Sequence, residues 1–171
     1  MIVSALSAAY GTVATWRRRW YTRAERQHHL SQPVISIGNL RVGGSGKTPV
    51  VAHIATLLLA HGERPSILSR GYARREATSG VTVVSDLTTV RTDVAHAGDE
   101  PFLLAQMLPG VPVLVCPNRY EAGREAETRF GVTVHLLDDG FQHVKLARDI
   151  DLLLVDAGDL TDRVLPAGRL R

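Results

Sequence analysis

The stretch Val34–Thr48, with the sequence VISIGNLRVGGSGKT, decides the fold of this 171-residue chain. Its apolar start predicts a β-strand, a glycine-rich turn follows, and Gly-Lys-Thr leads into a helix. This is the context of a phosphate-binding loop, where backbone N–H groups and a helix N-terminus face phosphate oxygens. Eight residues are predicted to bind a nucleotide: Arg41, Val42, Gly43, Gly44, Ser45, Gly46, Lys47 and Thr48.

Two residues of this loop have a predicted chemical role. The ammonium group of Lys47 can reach the β- and γ-phosphates, and the Thr48 hydroxyl can ligate Mg²⁺. Only one other lysine, Lys145, stands among the 20 basic residues, so Lys47 is not an incidental surface base. The loop departs from the usual pattern at Arg41, where glycine is expected. A glycine-rich turn without a ligand is the alternative, but strand, loop and helix stand here in the required order.

The rest of the chain predicts an α/β fold with a P-loop NTPase-like, three-layer architecture and a mostly parallel sheet. Short Val/Ile/Leu runs alternate with helical patterns, as parallel strands buried on both faces require. The length corresponds to one domain. The predicted strands are Val34–Ile37, Ser66–Leu68, Val81–Val84, Val111–Val115, Val134–Leu137 and Asp151–Val155. The predicted helices are Thr48–His61, Glu100–Leu108 and Arg119–Phe130.

Paired acids end one of these strands. VHLLDDG (134–140) places Asp138 and Asp139 at a C-terminal strand end, which is the form of a Walker-B acid and the side where α/β sheets bind ligands. Neighbouring carboxylates repel each other unless a positive charge lies near them, so a purely structural role is harder to defend. His143 follows and could contact phosphate or act as an acid or base, although a lone histidine is more often structural.

Two further acidic sites follow predicted strands or begin helices. Asp99 and Glu100, in GDEP (98–101), enter a helix, and N-capping with favourable dipole interactions is the common alternative to a ligand role. Asp156 follows the last predicted strand, and we interpret it as a turn residue.

The net positive charge is confined to residues 1–30. They carry five arginines and one glutamate, whereas residues 31–171 carry 15 basic and 16 acidic residues. We therefore expect no general nucleic-acid-binding surface and instead a local contact at the N-terminus. The single cysteine, Cys116, excludes a disulfide framework and a multi-cysteine zinc site.

Residues 1–30 predict an amphipathic helix. The first fifteen residues carry no charged side chain, but the apolar run is too short and too polar for a bilayer span. The helix could lie in a membrane interface with its arginines on anionic lipid, or it could pack on the domain with the arginines solvated; the residues alone leave both open. Its apolar stripe consists of Ile2, Leu6, Ala9, Val13, Trp16 and Trp20.

The class of NTPase can be narrowed by what the motifs lack. Switch-type GTPases read guanine with an Asn/Thr-Lys-x-Asp motif, and neither lysine lies in one. The ParA/MinD-like ATPases carry an extra lysine at the position of Val42. A small-molecule or lipid kinase is favoured, while a soluble-metabolite kinase and a nucleotide-dependent regulatory NTPase remain the alternatives.

Five motifs in order resemble the N-terminal portion of the tetraacyldisaccharide 4′-kinase family, the lipid A 4′-kinases called LpxK. They are GNLRVGGSGKTP at 38–49, SRGYARR at 69–75, GDEP at 98–101, DDGFQH at 138–143 and LPAGRLR at 165–171. The resemblance implies ATP- and Mg²⁺-dependent phosphorylation of the 4′-hydroxyl of tetraacyldisaccharide 1-phosphate, giving lipid IVA in lipid A biosynthesis. It also implies a monomeric, monotopic enzyme on the cytoplasmic face of the bacterial inner membrane, held there by residues 1–30.

The resemblance also implies site roles. Asp99 would be the catalytic acid–base, Asp138 and Asp139 would serve metal and phosphate, and His143 would support them. The implied metal set is Thr48, Glu100 and Asp139.

Members of the family continue past the LPAGRLR region with a second lobe, which supplies a histidine that pairs with the GDEP aspartate. We therefore expect the 171-residue chain alone to bind nucleotide weakly and to transfer little phosphate.

Overall fold

The computed structural model describes residues 7, 11–16, 20–21, 27–40, 46–71, 74 and 79–170. Its strands are β1 (Val34–Asn39), β2 (Pro65–Ser69), β3 (Thr82–Ser85), β4 (Val113–Val115), β5 (Val134–Asp138) and β6 (Ile150–Leu154). Its helices are α1 (Lys47–Ala60), α2 (Val94–Ala97), α3 (Asp99–Met107) and α4 (Arg119–Phe130), followed by a 3-10 helix at Ala157–Leu160. The six predicted strands and the helices predicted at 48–61, 100–108 and 119–130 are therefore confirmed, with ends that shift by at most two residues.

The six strands form one sheet in the order β3-β4-β2-β5-β1-β6. All neighbouring pairs are parallel except β3 and β4, which are antiparallel. Strand β1, which precedes the glycine-rich loop, lies directly beside β5, which ends in Asp138, and Ile37 pairs with that aspartate in register. The carboxyl ends of β1 and β5 therefore meet at one edge of the sheet, as the predicted fold requires.

Helices cover both faces of the sheet, which confirms the three-layer prediction. Successive strand residues point to opposite faces, so Leu136 packs with α1 and α3 whereas Leu137 packs with α4. Small residues of the helices, such as Ala55 of α1 and Ala122 of α4, are fully buried and let each helix approach the sheet closely.

Two local features differ from the sequence-based expectation. Strand β6 is not buried on both faces, because it lies at an edge of the sheet, and Ile150 is 49% exposed. Helix α2 was not predicted; it has only four residues, too few for a helical period, and is N-capped by the Asp93 side chain, which accepts from the backbone N–H of His96.

The N-terminal segment is helical at each position described between 7 and 21. The indole rings of Trp16 and Trp20 lie 5.3 Å apart, and the first is 61% exposed. Ile2, Leu6, Ala9 and the five arginines of this segment lie outside the described residues, so its amphipathic character stays a prediction. Among the residues that are described, no helix is both long and apolar enough to cross a bilayer.

Candidate active site

The predicted site lies where β1 and β5 end and α1 begins. Gly46 adopts a left-handed conformation, with φ of 71°, immediately before the first residue of α1. Lys47 and Thr48 therefore occupy the first turn of this helix, where free backbone N–H groups and the helix dipole favour an anion. The preceding five loop residues, 41–45, lie outside the described part of the chain.

Lys47 joins the two strand ends. Its Nζ donates to Oδ1 of Asn39, the last residue of β1, at 3.2 Å, and lies 3.5 Å from Oδ1 of Asp139. The lysine side chain is only 10% exposed. An ammonium group with so little solvent needs acceptors around it, and these two oxygens direct it to the edge of the sheet.

Asp138, the last residue of β5, is a buried acid with an unsatisfied oxygen. Its Oδ2 accepts from the Ser69 hydroxyl at 3.4 Å, whereas its Oδ1 is buried and has no hydrogen-bond partner among the described residues. Burial, together with the negative charges of Glu100 and Asp139, raises the pKa of this carboxyl to about 6. Buried carboxylates ordinarily have partners, so the arrangement indicates a group that is completed by a positive ligand.

The turn after β5 is tightly built. Asp139 has a φ of 51°, which is uncommon for a residue with a side chain. The chain then passes so close to β1 that a Cβ at Gly38 would lie 2.5 Å from Cβ of Phe141. The local sequence DDGF thus places two acids in succession, one buried and one facing Lys47.

The start of α3 brings the other predicted acids to this edge of the sheet. Gly98, with φ of 88°, is the N-cap residue, and Asp99 and Glu100 form the exposed first turn. The Glu100 charge is near enough to contribute to the raised pKa of Asp138. Neither acid is itself the cap residue, but both lie in the first turn, where a negative charge interacts favourably with the helix dipole.

A basic pocket of about 510 Å³ lies beside Asp139, which forms part of its wall. Sequence reasoning missed its main residue, Arg119, which begins α4 and is buried. Burial and the nearby Arg70 lower the pKa of Arg119 to about 10, while Asp139 and Asp138 act against that shift. Within the part of the chain that the structure describes, its Nε has no hydrogen-bond partner. The pocket is lined by His28, Arg70, Pro117, Asn118, Arg119, Asp139, Gln142, His143, Val144 and Lys145.

His143 is the predicted supporting residue, and it lies in the wall of this pocket. Its backbone N–H donates to the carbonyl of Gly140 at 2.9 Å, which closes the turn after β5. A signal for Arg119 was present in the sequence, because this residue follows a buried strand on the ligand-binding side of the sheet. Arginine is so frequent in this chain that its type alone did not stand out.

Known proteins of one family resemble this chain over nearly its whole length. The sequence profile described as tetraacyldisaccharide-1-P 4′-kinase (LpxK) matches residues 1–171. The tetraacyldisaccharide 4′-kinase of Desulfotalea psychrophila is 46% identical over 169 residues, which are 97% of this chain and 48% of that protein. The chain belongs to this family.

Other members of the LpxK family also match nearly the whole of this chain. The tetraacyldisaccharide 4′-kinase of Geobacter sulfurreducens is 44% identical over 96% of this chain and 47% of its own length. A crystal structure of LpxK from Aquifex aeolicus in complex with ATP has a TM-score of 0.89 and 43% identity, and the match covers all of this chain and 54% of that one. The chain spans about half the length of the curated relatives that it matches.

Proposed function

We propose that this chain carries the ATP-binding and phosphoryl-transfer site of a tetraacyldisaccharide 4′-kinase. The observation that carries the proposal is the position of Lys47, held between Asn39 and Asp139 where β1, β5 and the N-terminus of α1 meet. A cation fixed at a helix N-terminus beside paired acids is suited to a nucleotide triphosphate with its metal. Membership of the family favours this function over a soluble-metabolite kinase or a regulatory NTPase.

The nucleotide phosphates are proposed to bind at residues 41–48. Gly46 and the first N–H groups of α1 face the ligand side of the sheet, and Lys47 would move from its carboxylate partner to the β- and γ-phosphate oxygens. The positive N-terminal end of α1 would neutralise part of the phosphate charge. Arg41, Val42, Gly43, Gly44 and Ser45 complete the proposed loop.

The residues present fit a magnesium ion. The unpartnered Oδ1 of Asp138 is a buried anionic oxygen, and Glu100 and Asp139 add charge beside it. Within the described residues no three His, Cys, Asp or Glu side chains form a ready metal cluster. Proteins hold Mg²⁺ through one or two carboxylates together with water and substrate phosphate. Thr48, Glu100 and Asp139 would hold it, and the ion would neutralise charge on the phosphates.

The acceptor step requires a base near the nucleotide. An acceptor hydroxyl oxygen would form a bond to the γ-phosphorus while the bond from that phosphorus to the β–γ bridging oxygen breaks, leaving ADP. Asp99, exposed at the start of α3, is proposed to take the hydroxyl proton. His143, in the wall of the basic pocket, would support the transferring group.

The basic pocket is the proposed site of the acceptor headgroup. A disaccharide 1-phosphate is anionic, and the unpartnered Nε of Arg119 is a buried donor at the pocket. A guanidinium group binds phosphate oxygens through two parallel hydrogen bonds. Arg70, Lys145 and His143 add further donors around the same space.

Residues 1–30 are proposed to contact the membrane in which a tetraacylated substrate resides. Val13, Trp16 and Trp20 are exposed, and together with Tyr21 they line an apolar groove of about 370 Å³. Exposed tryptophans next to an arginine cluster suit a lipid headgroup region. We propose a monomer on the cytoplasmic face of the bacterial inner membrane, with residues 31–171 as the kinase core.

The test is transfer of labelled γ-phosphate from ATP to tetraacyldisaccharide 1-phosphate in mixed micelles, and all rates are compared in a version of the chain extended past Arg171. Lys47→Ala should lower the rate at least about 100-fold, because a preorganised charge at the transferring group is lost. Arg129→Gln, which removes an exposed arginine paired with Glu125, should leave the rate unchanged. Equal rates for Lys47→Ala and the parent chain would refute the proposed loop. Transfer to soluble sugars in preference to the lipid would support the soluble-metabolite alternative.

A further inference from the structure

A buried arginine lies behind the turn that carries Asp139. The Nη1 of Arg148 donates to the carbonyl oxygens of Phe141, at 3.0 Å, and of Gly140, at 3.2 Å. Its Nη2 is 3.4 Å from Oδ2 of Asp151, and the arginine side chain is 7% exposed. One guanidinium group therefore holds two successive carbonyls of the turn and is itself held by a carboxylate.

The turn needs such a partner because its own backbone is strained and close to β1. Asp139 adopts a positive φ, and the next N–H, of Gly140, donates to the carbonyl of Ile37 at 3.1 Å. A residue held in the left-handed region costs about 1 kcal/mol or more unless surrounding contacts impose it. The two carbonyls bound by Arg148 follow this residue directly, so the arginine stabilises the conformation that points the Asp139 carboxylate toward Lys47.

The backbone on either side of Arg148 is fixed to other elements. The N–H of Asp149 donates to the carbonyl of Val34, and the N–H of Val34 donates to the Asp149 carboxylate at 2.7 Å. The N–H of Ala147 donates to the carbonyl of His28. The guanidinium group is therefore placed relative to β1, the same strand that leads into the nucleotide loop.

From these contacts we propose that Arg148 is a positioning residue for the acidic turn. It holds residues 139–141 so that the Asp139 carboxylate stays beside Lys47, where a nucleotide-bound Mg²⁺ would need it. Arg148 lies behind the turn and acts on the site through Asp139. The inference rests on the proposed function for its effect on nucleotide, but its effect on the turn is independent of any ligand.

The first experiment measures the turn without nucleotide. Amide hydrogen exchange at Gly140 and His143 should be about fivefold faster in Arg148→Gln than in the parent chain, since loss of one hydrogen bond is worth about 1 kcal/mol. Arg148→Lys retains one donor and should lie between the two. Arg129→Gln, which removes the same charge from an exposed site, should exchange as the parent does. Unchanged exchange in both Arg148 variants would overturn the inference.

The second experiment measures the consequence for metal-dependent binding. Calorimetric titration with a non-hydrolysable ATP analogue, with and without Mg²⁺, should show about tenfold weaker binding for Arg148→Gln only when Mg²⁺ is present. A role confined to folding would lower the unfolding midpoint without changing the ratio of the affinities measured with and without Mg²⁺ for the folded protein. If Arg148→Gln does not fold, Arg148→Lys carries the same measurement with a smaller shift.

A double-mutant cycle shows whether the effect passes through Asp139. In an Asp139→Asn background, Arg148→Gln should have little additional effect on Mg²⁺-dependent binding, because the group that it positions is already lost. Fully additive effects would overturn the inference. If the parent chain shows no Mg²⁺-dependent binding while exchange still responds to Arg148, the proposed function fails and the positioning of the turn stands.

Discussion

Strand β5 carries two buried titratable side chains, three residues apart, that differ in how fully their hydrogen-bonding atoms are satisfied. His135, near the start of the strand, has Nδ1 2.8 Å from the Ser66 hydroxyl and Nε2 3.4 Å from Glu127. A single neutral tautomer satisfies both contacts, with Nε2–H donating to the carboxylate and Nδ1 accepting from the hydroxyl. Asp138, at the end of the strand, has one buried oxygen for which the described residues provide no hydrogen-bond partner.

We interpret His135 as a group that stabilises the fold and Asp138 as a group that is available to a ligand. His135 joins β2, β5 and α4, and burial lowers its pKa, so it remains neutral. At Asp138, burial and the neighbouring acids raise the pKa to about 6, so its charge at neutral pH lowers stability. A folded protein retains such a group where function requires it, at the edge of the sheet where ligands bind.

The largest expected effect is that of Asp138→Asn. It should weaken Mg²⁺-dependent nucleotide binding about 100-fold or more, because a negative charge that attracts the metal ion is lost. In the absence of ligand the same variant should be more stable at pH 7.5, by up to about 3 kcal/mol, since the raised pKa no longer opposes folding. Titration calorimetry and urea unfolding measure the two effects. A variant that is both less stable and equally tight in binding would show that Asp138 is structural.

His135→Ala should show the opposite pair of effects. Removing a fully buried side chain and leaving the Ser66 hydroxyl unpaired should lower the free energy of unfolding by about 3 kcal/mol. Nucleotide affinity of the folded protein should be unchanged, because the nearest partners of His135 lie at the other end of the strand. Urea unfolding checks the first expectation and calorimetry the second. A marked loss of affinity would remove the distinction between the two ends of β5.

The pH dependence of stability should separate the two groups by sign. As the pH falls through about 6, the folded state takes up a proton at Asp138, and stability rises. As the pH falls below about 6.5, the unfolded state takes up a proton that buried His135 does not, and stability falls. As the pH is lowered from 7.5 to 5, the unfolding midpoint should therefore rise in His135→Gln and fall in Asp138→Asn. The same slope in both variants would contradict this assignment.

The smallest effect is expected at Glu127. Its carboxylate accepts from the backbone N–H groups of Gln32 and Ser31, which together with His135 lower its pKa even though burial acts in the other direction. Glu127→Gln keeps an acceptor and should cost about 1 kcal/mol in thermal unfolding measurements. Mg²⁺-dependent binding should not change. A loss in this binding would mean that the two ends of β5 are coupled.

Much of the fold could be predicted from local pattern. Apolar runs of strand length, glycines after helices and the order of GGSGKT between a strand and a helix are signals within a few neighbouring residues. They located all six strands and three of the four helices named above. They did not predict that β6 is exposed on one side, because periodicity does not show whether a strand lies in the centre or at the edge of a sheet.

The candidate site was predicted only in its motif residues. Lys47, Asp138 and Asp139 could be named because paired acids and a lysine in a glycine-rich loop are unusual combinations. Arg119 and Arg148 could not, because each is one arginine among many until packing buries it. No local pattern distinguishes an arginine that will be buried behind a turn from one that will be solvated.

By itself, the sequence determined the class of fold and the family and predicted a phosphate-binding loop, since each depends on residue types at fixed short spacing. The tertiary structure alone decided which polar groups are satisfied. Ser66 and His135 are 69 residues apart in the chain, yet they meet through the pairing of β2 and β5. The same sheet leaves Asp138 with an open oxygen beside Lys47. Those contacts depend on strand order, which brings distant residues together. Burial and the neighbouring charges and hydrogen bonds then set the pKa of each group.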